Sequence, residues 1–250
     1  MKLRVRFTKA GKLRFLSHRD LARLFERTFR KLRLPVAYSE GFSPRPKFSF
    51  GLALSVGHES EAEYLDVDLA TSVDLGDLSA RLTEALPKGL AVTAVRELSG
   101  GERSLQEAIA CCGWDIEVLG APVDDVAAAL QAVMAAPMLP FQRERKGKVS
   151  VADVRPAMLE LELVGPTDDG AQLRAVLATD LVSLRPSELL RVLNAELPER
   201  TLIEGRVCRT HQWTMVDHLR TEPITVEASM PLPIVATDAR STPHAESRAS

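Results

Sequence analysis

From Lys2 to Thr8 the chain alternates strictly. Leu3, Val5 and Phe7 point one way, and Lys2, Arg4, Arg6 and Thr8 the other. A period of two is the mark of a strand with one buried face, and such a strand requires a layer packed against it. A candidate layer follows at once. Ser17 and Asp20 have the spacing of a capping box, with the shorter acid. Leu21, Leu24, Phe25, Phe29 and Leu32 then recur at helical spacing and form one apolar stripe, with Arg19, Arg23, Arg27 and Arg30 on another face. Leu34-Pro35 ends this helix.

Before the helix, Lys9-Ala10-Gly11 reads as a turn. Leu13 and Phe15 beyond it extend the apolar side, with Lys12 and Arg14 opposite. After the helix, strands are expected at 48–54, 62–69 and 90–98, with a helix at 75–86. The order β-α-β-β-α-β is the ferredoxin-like arrangement. The second half repeats the order: strand 114–119, helix 124–135, strands 158–164 and 173–179, helix 186–195 and strand 202–209. A hairpin is inserted at 139–154. The expected fold is therefore α+β, two tandem ferredoxin-like halves with antiparallel sheets, over residues 1–99 and 105–218. A disordered tail rich in Pro, Ser, Thr and Ala follows over 219–250.

Charge is unevenly spread over this plan. Fourteen of the first fifty residues are Lys or Arg, against three acids, in a chain of net charge −2. The other 200 residues hold 18 bases and 31 acids. Such polarity fits a face built for a polyanion, and a nucleic acid is the expected partner. In a ferredoxin-like half the helices cover one side of the sheet and leave the other open. Arg4, Arg6, Lys12 and Arg14 are expected on that open side, with Lys9 and Arg19 nearby. Arg45 and Lys47 sit in a proline-stiffened loop, with Tyr38 and Phe42 as candidate rings. Arg143, Arg145, Lys146 and Lys148 crowd the inserted hairpin. Phosphate binding by these groups would make affinity fall steeply with salt.

No stretch of 18 apolar residues is present, and the start lacks the apolar core of a secretory signal. Cys111, Cys112 and Cys208 are odd in number and form no C-x-x-C. These features fit a reducing cytoplasm without a membrane partner.

The stretch from Phe7 to Asp20, the loop Gly41 to Lys47 and the segment Glu61 to Val67 resemble the radical SAM-linked protein family, a bacterial domain of unknown function. Asp153-Val154-Arg155-Pro156 and Arg185 to Leu190 extend the resemblance over about residues 1–210. The resemblance is to the standalone form of that family, without the radical SAM domain, and that form is the expectation here. Arg45 departs from a histidine more usual there, which weakens any metal or general-base role for that loop. The resemblance implies association with radical SAM chemistry and, through ribonuclease E/G, with RNA. The chain itself lacks the closely spaced thiolates of an iron–sulfur site, so no cofactor is expected in it.

Two functional classes follow. One is an RNA-binding accessory module that presents tRNA or rRNA to a modification or processing enzyme, with a radical SAM enzyme or ribonuclease E/G as possible partner. The other is a ribonuclease or RNA-modification enzyme centred on His18 with Asp20. A protein–protein adaptor is a third possibility. His18 and Asp20 diverge by about 200° on a helical turn, which disfavours a dyad. Glu59, Glu61 and Glu63 share one strand face by alternation. Two of them could meet on Mg²⁺, although a solvated strand edge is the plainer account, and no metal site is assigned.

Overall fold

The structure, a computed structural model, describes residues 1–145, 147–180 and 182–224. The fold is α+β, with five α-helices among the described residues and a sheet whose pairings are antiparallel except at one junction. In the first half, β1 (Lys2–Lys9) lies between β3 (Glu59–Asp68) and β4 (Leu90–Glu97), and β2 (Phe48–Phe50) pairs with β3. Helices α1 (His18–Lys31) and α2 (Leu78–Ala85) complete it. The second half contains β5 (Ile109–Leu119), β8 (Met158–Thr167), β9 (Gly170–Ala178) and β10 (Ile203–Val216), in the order β10-β5-β9-β8. Its helices are α4 (Val123–Ala135) and α5 (Pro186–Ala195). A short α3 (Leu105–Ala108) joins the halves, and β6 (Pro140–Arg145) with β7 (Lys148–Asp153) forms the inserted hairpin.

The halves do not keep separate sheets. β2 covers only Leu65 to Val67 of β3, which leaves the start of β3 free on that edge. β10 fills it in parallel, with Cys208 opposite Glu59 and Arg209 opposite Ser60. One nine-stranded sheet results.

Each half nonetheless has its own core. Leu3, Val5 and Phe7 pack with Leu21, Phe25 and Phe29 of α1, as the two periodicities dictate. Phe7 and Phe25 meet edge to face, 4.9 Å between centroids. Ile116, Val118, Val126, Leu173 and Leu189 lie in the core of the second half. At α1 the Ser17 hydroxyl accepts the Asp20 amide at 3.2 Å, so the cap falls where the sequence places it.

Two expectations are corrected. Gly11 to Phe15 is a 3-10 turn rather than an extension of β1, and Phe15 is 61% exposed rather than packed under the helices. Gly11, with φ of 61°, turns the chain, and its amide donates to Glu59 Oε1 at 2.7 Å. At the other end, the folded chain continues to Ile224 instead of stopping at 218. β11 (Leu219–Thr221) pairs with β10, and Ile224 is buried. The rest of the expected tail, from residue 225, lies outside the described residues.

Candidate nucleic-acid interface

The cations predicted for the open sheet face do not form one. Arg4 is 3% exposed and clamps Asp66 through Nε at 2.8 Å and Nη2 at 2.9 Å. The segment after β4 lies over it: Arg4 also reaches the Arg103 carbonyl and stands 3.9 Å from Glu102. Arg6 donates to Thr93 and lies 3.6 Å from Glu222, next to the buried Pro223 and Ile224. Arg96, behind them, holds Glu102 and the Pro223 carbonyl. Hydrogen bonding from Arg96 pulls the Glu102 carboxyl down to about 2. The alternation correctly separates these residues from the apolar core. It does not reveal that two later segments cover their side of the sheet.

Lys9 is also buried, beyond a bulge in β1. Its ammonium donates to the carbonyls of Arg14 and Leu16, both at 3.1 Å, which fastens the turn before α1. Desolvation pulls the Lys9 pKa down, with Glu63 opposing.

Glu59 and Glu63 of β3 are buried rather than on a solvated edge, because β3 is an inner strand. Arg206 and Arg209 of β10 hold Glu59 and Glu63 at 2.6 Å each. Glu61 is exposed, beside a cavity of about 520 Å³ that it shares with Asp115, Glu117, Arg174, Arg206 and Cys208. Arg209 is 1% exposed, donates to Glu63 and to the Leu52 carbonyl, and lies 5.4 Å from the Trp114 ring centre. Burial opposes its charge, and Glu63 together with Cys112 more than offsets that, so the guanidinium stays ionised. Among the described residues, no group of three or more His, Cys, Asp or Glu is placed to hold a metal ion. Burial pushes the Cys112 thiol up to about 11 and the Cys208 thiol up to about 12, which makes both poor nucleophiles.

His18 opens α1, exposed, with its ring 5.0 Å from that of Phe50. Asp20 faces elsewhere: its carboxylate accepts the Ser17 hydroxyl at 2.7 Å and pairs with Arg23 at 3.5 Å. The two residues do not form a dyad. His18 does share a recess with Lys9 and Glu63, but its volume is about 10 Å³, at most one water.

On the hairpin, Arg143 binds Glu188 at 2.8 Å, tying β6 to the start of α5. Lys148 is exposed, Arg145 pairs with it through the backbone, and Lys146 lies outside the described residues.

What remains exposed is a band along the outside of α1. Lys12, exposed, and Arg14, half-buried and paired with Glu59 at 4.0 Å, lie at its start, fixed at the Glu59 end of β3 by the Gly11–Glu59 bond and by Gly57 donating to the Arg14 carbonyl. Arg19, Arg23, Arg27, Arg30, Lys31 and Arg33 follow, all exposed. Arg23 and Arg30 neutralise Asp20 and Glu26. Arg45 and Lys47 lie at the far end, where the Asp68 amide donates to the Lys47 carbonyl at 2.9 Å. From Ser60 to Asp68 the band spans about 26 Å at the usual strand rise. No carboxylate of the described residues lies within ion-pair distance of Lys12, Arg19, Arg27, Lys31, Arg33, Arg45 or Lys47. Rings sit at both ends: Phe15 with the Arg14 guanidinium 4.8 Å from its centre, and Tyr38 and Phe42 in the far loop, all exposed. Sequence reasoning missed Phe15 by continuing the strand pattern through Gly11.

The class so defined is an α+β chain with one nine-stranded sheet, a covered sheet face and a cationic outer helix. Residues 2–186 match the family described as "Uncharacterized protein conserved in bacteria (DUF2344)", and the chain belongs to that family. No curated protein matches it. Among solved structures it is similar to a chain of "Crystal Structure of a Cbf5-Nop10-Gar1 Complex", at 8% identity and a TM-score of 0.49, over 84% of this chain and 48% of that one. It thus spans about half of that chain's length. It is also similar to an unknown protein from Galdieria sulphuraria, at 13% identity and a TM-score of 0.26, over 82% of this chain and 98% of that one. No helix among the described residues is long and apolar enough to cross a membrane.

Proposed function

We propose that this chain is an RNA-binding accessory module that presents tRNA or rRNA to a modification or processing enzyme. The observation that carries the proposal is the α1 band: unneutralised cations over about 26 Å, with exposed rings at both ends. A radical SAM enzyme or a ribonuclease E/G is the proposed class of partner, supported by the motif resemblance over about residues 1–210. The matching strand orders, β4-β1-β3-β2 and β10-β5-β9-β8, support two tandem ferredoxin-like units over 1–99 and 105–218.

Reversing Lys12, Arg19, Arg45 and Lys47 to Glu should abolish retention of labelled cellular RNA on a filter while leaving the circular dichroism unchanged. Undiminished retention would reject the proposal. An enzyme centred on His18 is favoured only by the exposure of that ring at the helix start. Incubation with the same RNA separates the two. If that enzyme exists, the wild type degrades or modifies the RNA and His18→Ala does not; under the binding proposal both leave the RNA intact and both retain it.

A further inference from the structure

We infer that the band takes RNA as an unpaired strand, gripped at two stacking points, Phe15 and Phe42, with the α1 cations carrying the phosphates between them. This rests on the RNA-binding proposal and names its substrate class.

The rings carry the argument. Both rings are open to a base: Phe15 is 61% exposed and Phe42 fully so. Phe15 is held in place, since it ends a turn fastened by Gly11 to Glu59 and by Lys9 to the carbonyls of Arg14 and Leu16. The Arg14 guanidinium stands over the ring at 4.8 Å from its centre and 4.0 Å from Glu59, so the cation left for a phosphate at this end is Lys12, exposed and three residues before Phe15. Phe42 is followed three and five residues on by Arg45 and Lys47, both exposed. Its loop is closed by the Ser39 amide donating to the Arg45 carbonyl at 2.8 Å and by a bridge from Tyr38 to Pro46.

A ring beside a cation is the pairing that single-stranded nucleic acid uses, because a base stacks on the ring while the cation takes the adjoining phosphate. A duplex buries its base faces and can use only the cations. The second half offers no continuation. The cavity there carries Glu61, Asp115 and Glu117 against Arg174 and Arg206, and Glu117 accepts the Arg206 amide. The strand should therefore follow α1 and avoid the β5–β9 face.

The test is binding of the full chain to an unstructured RNA oligonucleotide and to the same sequence as a duplex. The wild type, Phe15→Ala and Phe42→Ala are compared by fluorescence anisotropy. Each substitution should weaken single-strand binding by about 5- to 150-fold, leave duplex binding unchanged and keep the same salt slope. Neither ring is in the core, so both variants should fold, and unchanged thermal unfolding confirms that. Wild-type affinity in both variants, or equal weakening on strand and duplex, overturns the inference while the RNA-binding proposal stands. No binding of either RNA by the wild type overturns both.

Discussion

The seam between β3 and β10 and the outside of α1 are both built from basic side chains, and they use them in opposite ways. At the seam, Arg206 and Arg209 each answer one carboxylate of β3, and Arg209 is almost wholly shielded from water. On α1, Arg19, Arg27 and Lys31 face solvent with no carboxylate in reach among the described residues. The first set joins two halves of a sheet. The second leaves unneutralised charge at the surface. A count of Lys and Arg does not distinguish them; what does is whether a strand or a helix carries the residue, and what later packs over it.

The strongest way to break this comparison is to treat the seam as if it were surface. Arg209→Met leaves Glu63 buried without its partner and should cost about 3–5 kcal/mol in denaturant unfolding. Adding Glu63→Met should recover most of that stability, because it removes the orphaned charge. A single substitution costing under ~1 kcal/mol, as at an exposed ion pair, would erase the distinction.

The four-site reversal on the band should, in contrast, act on binding and leave unfolding unchanged. The salt slope sharpens this. Each single-strand phosphate that the variant no longer neutralises should lower the slope by about 0.7, whereas Lys148→Glu on the hairpin should leave it as it was. Equal effects at the two places would return the hairpin to the interface.

The smallest effect concerns the pair covering Arg4. The Glu102 carboxyl lies near 2 in the folded chain, held down first by its hydrogen bond from Arg96, against an ordinary 4.5. A lowered folded pKa stabilises above the ordinary value, and that stabilisation disappears as pH falls from 4.5 towards 2. Glu102→Gln should remove that part of the acid limb and cost about 1 kcal/mol or less at neutral pH, by urea titrations at several pH values. An unchanged acid limb would show that the pair does not hold the cover down.

Much of the fold is legible in the chain because each element carries its own period. Leu3, Val5 and Phe7 mark β1, and Leu21, Phe25 and Phe29 mark α1, with Ser17 at its cap. The site is less legible for three physical reasons. Alternation says which residues share a face but not whether Glu102 and Glu222 will come to lie beside Arg4 and Arg6. Strand order is non-local, so Glu63 gives no sign that Arg209, 146 residues away, will answer it. A glycine can turn an apparently continuous pattern, as Gly11 does before Phe15. One signal is available: six basic residues between Arg19 and Arg33, with only two acids among them, already outline the outside of α1.

Ultraviolet cross-linking of bound RNA to the intact protein, with the attached peptides located by mass spectrometry, tests the central claim most directly. Adducts should fall on Phe15, Phe42 and the α1 segment between them. Adducts concentrated on β8, β9 or the β6–β7 hairpin would contradict it.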